Sequence, residues 1–81
     1  MVEQVKSILE RSFLGIEVDL EQLSNGRITG TVVWPGFAEY DQVDRQATLR
    51  AALSDELKEA ITQVGVILTY TPDELYAMQA A

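Results

Sequence analysis

The side chains that most often carry out chemistry in proteins are missing from this chain. It has no cysteine and no histidine among its 81 residues. A thiol nucleophile, a disulfide, a Cys or His ligand to zinc or iron and an imidazole base are therefore excluded. Thirteen acidic and six basic residues remain, with a net charge of −7. We expect a protein that acts by binding and is not an enzyme.

Three carboxylates alternate along one stretch, at Glu17, Asp19 and Glu21. On a strand such residues share a face, where they could hold a hard cation such as calcium or magnesium. No turn gathers oxygen ligands around one point, so a solvated strand face is the better interpretation. Nothing marks a cleft around any pair of carboxylates. We therefore predict no metal site and no catalytic residue.

Two further features have both a binding and a structural interpretation. Arg45 could contact a partner or an anion, or it could pair with Asp41, Asp44 or a backbone carbonyl; the pairing is favoured. Trp34 and Phe37 would form a recognition surface if they were exposed. A domain this small needs its few large side chains inside, which favours a core role for both aromatics.

The first half of the chain predicts a helix followed by a β-hairpin. Apolar residues at steps of three and four predict the helix over 2–13. Alternation over 16–21 predicts a strand with an acidic outer face. Ser24, Asn25 and Gly26 predict a hairpin turn, because Asn and Gly both tolerate a positive φ. The β-branched stretch 28–34 predicts the returning strand.

The second half predicts a long helix, a strand and a short helix. Asp41 is a suitable N-cap for one helix of about 20 residues over 41–61. The apolar run 64–70 predicts a strand buried on both faces and therefore central in the sheet. Thr71 and Glu74 have the spacing of a capping box that begins the last helix. The chain thus predicts a single α+β domain over its whole length, with the order α-β-β-α-β-α and helices packed on a three-stranded mixed sheet.

From Phe37 onward the chain resembles the BolA family. The segment 37–46 has the family's pattern of Phe, a short turn, a polar cap, Val and then Arg-His, with Arg45 at the arginine and Gln46 at the histidine. The segment 69–74 resembles the family's strand-to-helix ending, in which Thr-Pro precedes acidic residues. The predicted order of elements agrees with the family's fold, which is related to the type II KH architecture.

The resemblance implies a partner and a cofactor, and the departures from the pattern change what is expected of this chain. Family members bind monothiol glutaredoxins and share an iron–sulfur cluster through Cys and His side chains. Gln46 and Gln63 stand where the family has His, and the first hairpin has neither Cys nor His. An amide does not replace imidazole or thiolate at iron. We therefore expect no cofactor, while docking to a protein partner, a monothiol glutaredoxin among the candidates, needs only a surface.

The candidate partner-binding residues follow from position. In this architecture the start of the long helix and the end of the last strand can meet, close to the loop before that helix. Some of these sites also match places where the family carries a functional histidine or arginine. The candidates are Phe37, Tyr40, Arg45, Gln46 and Gln63.

Two functions stay open at this point: a small BolA-like adaptor or regulator, and a KH-like nucleic-acid-binding transcriptional regulator. The second is disfavoured because Gly26 and Gly30 lie in a hairpin and do not form the Gly-x-x-Gly loop of KH modules. The basic residues are scattered, and only Arg45 and Arg50 share a helix flank in a chain of net charge −7. No apolar run could cross a membrane and no secretory leader is visible, so we expect a cytoplasmic protein.

Overall fold

The first helix forms where apolar residues recur at helical spacing. In the computed structural model, which describes residues 1–80, helix α1 spans Val2–Ser12. It buries Val5, Ile8 and Leu9 on one face. The charged residues between them stay on the outside, as the periodicity predicts.

The sheet consists of β1 (Glu17–Gln22), β2 (Ile28–Val33) and β3 (Val64–Tyr70), in the order β1-β2-β3. β1 is antiparallel and β3 parallel to β2, so the predicted mixed sheet is confirmed. β3 is an edge strand, and the prediction of a central strand is wrong. Val66 and Leu68 are 67% and 48% exposed. Successive residues of β3 point to opposite faces of the sheet, and at Val66 and Leu68 the outward face is not covered. The predicted burial of this strand on both faces is therefore wrong as well.

The predicted hairpin turn at 24–26 is present, and only its glycine adopts a positive φ. Gly26 has a φ of 86°, but Asn25 does not adopt a positive φ. The N–H of Gly26 donates to the carbonyl of Leu23 at 2.9 Å, and the Asn25 Oδ1 accepts from the N–H of Arg27 at 3.0 Å. A three-residue loop needs only its last residue in the left-handed region, which is why Asn25 keeps an ordinary φ.

The second helix, α2, spans Gln42–Leu57. Its predicted N-cap is confirmed, because the Asp41 Oδ1 accepts from the N–H of Asp44 at 2.8 Å. The helix ends earlier than predicted: Lys58 adopts a φ of 52°, and a 3-10 helix over Lys58–Gln63 leads to β3. The left-handed residue redirects the chain toward the start of the strand. One main helix still connects β2 to β3, so the predicted order of elements and the helical crossover are confirmed.

Helices α1 and α2 cover one face of the sheet and form the core with it. Phe37, in a 3-10 helix over Pro35–Glu39, is fully buried, and its ring centroid lies 5.2 Å from that of Trp34 in an edge-to-face contact. The Trp34 indole donates to the carbonyl of Leu14 at 2.9 Å. The core interpretation of Phe37 is therefore confirmed, while Trp34 is half-buried. The buried core cluster comprises Val5, Ile8, Leu9, Phe13, Ile16, Ile28, Val32, Phe37, Leu49, Leu53 and Ile67.

The opposite face of the sheet carries only the last helix. Helix α3 spans Pro72–Ala80, and only its Leu75 is half-buried. Leu75 and Gln79 border a hollow with Thr31 and Val33, which places α3 over one end of this face. Ala81, the last residue of the predicted domain, lies outside the described residues. No helix within residues 1–80 has the length and apolarity needed to cross a bilayer.

We call the outward side of the sheet the open face. Its residues follow from the strand register, in which Glu17 pairs with Val33, and Val33 with Tyr70. Because side chains alternate along each strand, every second residue from these pairs shares the face. The register of β2 and β3 shifts between Ile28 and Gly30, so Val66 is assigned to this face by its 67% exposure. The open face comprises Glu17, Asp19 and Glu21 of β1, Thr29, Thr31 and Val33 of β2, and Val66, Leu68 and Tyr70 of β3.

Candidate functional site

Arg45 lies inside the fold and not at its surface. Only 4% of the residue is exposed. Its guanidinium donates to both carboxylate oxygens of Glu74, from Nη1 at 2.7 Å and from Nη2 at 2.9 Å. This fork-to-fork pair is the strongest geometry for an arginine and a carboxylate, and it ties α2 to α3. The sequence interpretation was right to favour pairing, and its option of a backbone carbonyl is confirmed, but Asp41 and Asp44 were the wrong carboxylates.

Backbone carbonyls accept the other hydrogen bonds of Arg45. Its Nε donates to the carbonyls of Phe37 and Tyr40, at 3.1 and 3.0 Å, and its Nη1 donates to that of Thr69 at 3.4 Å. The guanidinium carbon also lies 5.7 Å from the centre of the Phe37 ring. One side chain thus joins α2, the segment before it, the end of β3 and α3. Arg45 therefore stabilises the fold by holding these four parts together.

Glu74 both caps the start of α3 and pairs with Arg45, and the sequence predicted only the cap. Its Oε1 accepts from the N–H of Thr71 at 3.0 Å, and its own N–H donates to the Thr71 Oγ1 at 3.1 Å, so the capping box is confirmed. The hydrogen bonds from Arg45, followed by the bond from the Thr71 backbone, lower the pKa of Glu74 from 4.5 to about 2. The same carboxylate raises the pKa of Arg45. Both groups therefore stay charged over the whole physiological pH range.

Gln46 and Gln42, four residues apart on α2, cover part of the outer edge of β3. The Gln46 Nε2 donates to the carbonyl of Ile67 at 2.8 Å. The Gln42 Nε2 reaches the carbonyl of Thr69 at 3.5 Å, and its Oε1 accepts from the Thr69 hydroxyl at 2.9 Å. Side-chain amides thus satisfy carbonyls that a further strand would otherwise use, which is one way that proteins protect an edge.

The structure brings together four of the five predicted site residues. The start of α2 and the end of β3 meet, as expected, at Thr69. Phe37 and Arg45 are buried there, while Tyr40 is 38% exposed and Gln46 lies on the surface. The fifth residue, Gln63, precedes the first residue of β3. Thr69 lies six positions further along the chain, or about 20 Å away on an extended strand.

The expectation that Gln63 joins the other predicted residues is therefore wrong. β3 carries the chain from Gln63 toward the start of α2, so these residues mark opposite ends of one strand.

Sequence reasoning missed the open face as a surface. Val66 and Leu68 are exposed there, at alternate positions on the edge strand. Tyr76 and Met78 of α3 are exposed apolar residues as well. The signal was present in the alternation within 64–70, but an unbroken apolar run hides which of its two faces is covered.

The carboxylates of this chain do not form a metal centre. Among the residues that the structure describes, no three acidic side chains converge on a point that could hold an ion. Glu17, Asp19 and Glu21 are exposed along a strand, as the solvated interpretation predicts. The donor set also does not fit an iron–sulfur cluster, since the chain supplies neither thiolate nor imidazole.

The structure leaves fewer surface cations for nucleic-acid binding than the sequence indicated. Arg45 and Arg50 were the two cations on a shared helix flank. Arg45 is buried and bonded to Glu74, which leaves Arg50 on the surface. Gly26 and Gly30 lie in the hairpin turn and in β2, as the sequence indicated.

No protein-family model matches this chain, and a search of the curated proteins finds no match.

Proposed function

We propose that this protein is a small non-enzymatic adaptor or regulator that acts by binding another protein on its open face. The observation that carries the proposal is the exposure of Val66 and Leu68, side by side on the outer face of an edge strand. Apolar side chains exposed together on a small domain mark an interaction surface more often than scattered single residues do.

The charge of the open face indicates the kind of surface that would fit it. Glu17, Asp19 and Glu21 lie on β1, two strands away from Val66 and Leu68. Within residues 1–80, none of these three carboxylates has an ion-pair partner. A complementary partner surface is apolar opposite β3 and basic opposite β1, and the net charge of −7 would speed its association.

The resemblance to BolA proteins supports a monothiol glutaredoxin as the first partner to test. Such docking would use shape and charge only, because the chain lacks the Cys and His ligands with which the family holds a cluster. The adaptor would then bind a glutaredoxin without contributing a ligand to its iron.

The test is a calorimetric titration of the purified chain with an apo monothiol glutaredoxin, with wild type and Val66→Lys compared. A lysine at the open face places a charge in the apolar part of the interface, so we expect the affinity to fall about tenfold or more. Val43→Lys is the matched control, because Val43 is 76% exposed at the start of α2 and lies outside the open face.

Equal affinities for wild type, Val66→Lys and Val43→Lys would contradict the open face as the docking surface. If the glutaredoxin does not bind at all, that partner is excluded. The adaptor function is then tested by photo-cross-linking from position 66 in cells.

A further inference from the structure

The outer edge of β3 presents backbone groups in the pattern that a further strand uses. The carbonyl of Tyr70 accepts from the N–H of Trp34, directly after β2, at 3.0 Å. Backbone groups alternate in direction along a strand, so those of Leu68 and Tyr70 point toward β2. Those of Ile67 and Thr69 point to the outer edge, where the side chains of α2 reach their carbonyls. The amides of Ile67 and Thr69 point to the same edge.

Two hollows lie along this edge, and Gln46 borders both of them. The first, of about 200 Å³, lies between α2, the second 3-10 helix and the start of β3. The second also measures about 200 Å³ and lies beside Leu68 and Thr69. The Gln46 amide donates to Ile67 between them. That bond is the one that the N–H of a neighbouring strand would make.

We propose that the edge of β3 binds an extended peptide segment of a partner protein as a fourth strand. The backbone of the peptide pairs with Ile67 and displaces the amide of Gln46, as in other cases of strand addition. One apolar side chain of the peptide enters the first hollow, whose apolar lining includes Leu49, Leu53, Ile61 and Val64. This site goes beyond the proposed function, which uses the open face.

The charge at the first hollow identifies the chemistry of the peptide. Arg50 is the one charged residue of its lining, which contains no carboxylate. Arg50 is exposed and has no ion-pair partner among residues 1–80. In a chain of net charge −7 this is a local positive site. The peptide therefore carries a carboxylate next to its apolar residue, either as an acidic side chain or as its own C-terminus.

The same charges count against two other occupants. A nucleic-acid strand needs several cations along its backbone, and Arg50 is the one cation in the lining of this hollow. A second copy of the chain brings its own charge of −7, which opposes self-association through the edge.

The experiment selects peptides from a random displayed library on the immobilised full chain and measures the affinity of the enriched peptide by fluorescence anisotropy. We expect peptides with an apolar residue beside a carboxylate. Arg50→Glu should lower the affinity about tenfold or more, while Lys6→Glu, with the same change of charge on α1, should leave it unchanged. Gln46→Ala should raise it about threefold to tenfold, because no amide has to be displaced.

Two readouts separate strand addition from other binding. Hydrogen exchange at the amides of Ile67 and Thr69 should slow when the peptide binds. A peptide that is N-methylated at alternate residues should lose binding, because it lacks the donors of a strand. Val66→Lys should leave peptide affinity within about twofold, since Val66 belongs to the open face and not to the hollows.

The proposal is overturned if no peptide is enriched over a bare support. It is overturned as well if the affinity of the enriched peptides is unchanged by Arg50→Glu and by N-methylation. Pairing of a second copy at the edge, or binding of a single-stranded oligonucleotide there, would also overturn it. Failure of this site leaves the test at the open face unaffected, because that test depends on Val66.

Discussion

Arg45 shows how one buried side chain can decide the geometry of a small domain. Its guanidinium bonds to Glu74 and to the carbonyls of Phe37, Tyr40 and Thr69. A buried arginine is tolerated only where its donors find acceptors, and here they do. The match of Arg45 to the BolA pattern therefore coincides with a position that this fold needs for its own structure.

Replacing Arg45 by Met tests this role. The apolar side chain would remove the Arg45 donors from the carbonyl of Tyr40 and from the carboxylate of Glu74, so we expect a loss of about 2–4 kcal/mol in the free energy of unfolding. Chemical denaturation measures it. Arg50→Met, at an exposed position on the same helix, is the control and should change stability by less than about 0.5 kcal/mol. Equal effects would show that Arg45 has no special structural role.

The Glu74 carboxylate makes the stability of the folded chain depend on pH. Its pKa is about 2 in the folded chain, against an ordinary value of 4.5. Because the folded pKa is the lower one, the contribution is complete above about pH 5 and is lost as the pH falls toward about 2. We expect Glu74→Gln to be less stable than wild type near neutral pH and to converge with it in acid. Denaturant midpoints across that range measure this, and a constant gap would contradict it.

At the scale of elements, the beginning of α3 depends on its cap. Leu75 is the only half-buried residue of this helix among the described residues, so little packing holds it in place. Thr71→Ala removes the hydroxyl that accepts from the N–H of Glu74. The expected cost is about 0.5–2 kcal/mol, measured by thermal and chemical unfolding. Thr71→Ser keeps the acceptor and should recover most of the loss; no difference between the two variants would contradict the cap.

The end of α2 carries a residue in an unfavourable conformation. Lys58 has a φ of 52° and a ψ of −119°, a combination that only glycine adopts without strain. We expect Lys58→Gly to raise the free energy of unfolding by about 1 kcal/mol. Lys58→Ala, which removes the charge but keeps a Cβ, is the control and should give no such gain. A loss of stability in Lys58→Gly would contradict the conformation.

The sequence predicted the starts of α2 and α3 well, because one capping side chain decides where each of these helices begins. The cap at Asp41 and the capping box at Thr71 follow from side chains and spacing alone. The strand order did not follow in the same way, because the run 64–70 is apolar on both faces whether it lies at the centre or at the edge. Its exposure depends on what packs over it, and a short α3 covers only one end of the open face.

The candidate site was predictable only in part, for a related reason. The meeting of the helix start with the end of β3 follows from the crossover, and it is present. The partner of Arg45 is Glu74, 29 residues away. No local pattern selects that carboxylate over Asp41 and Asp44, which lie closer along the chain. Likewise, the amides of Gln42 and Gln46 reach β3 only because α2 lies along the edge of the sheet.

At the scale of the whole molecule, the chain offers an iron–sulfur cluster neither a thiolate nor an imidazole ligand. Without cysteine or histidine, the chain should purify colourless and should not change the visible circular dichroism of a glutaredoxin-bound cluster by ligating it. Reconstitution of the cluster with and without the chain measures this. A new visible absorption band that forms only when this chain is present, and that does not come from a change in the glutaredoxin, would contradict this prediction.

The measurement that tests the central claim most directly is photo-cross-linking in the native cell. A photoreactive amino acid replaces Val66 on the open face, and in a second strain it replaces the equally apolar and exposed Val43. Adducts are then identified by mass spectrometry. We predict one discrete protein adduct from position 66 that is absent from position 43. The same adducts from both positions, or none from position 66, would contradict a protein-binding role for the open face.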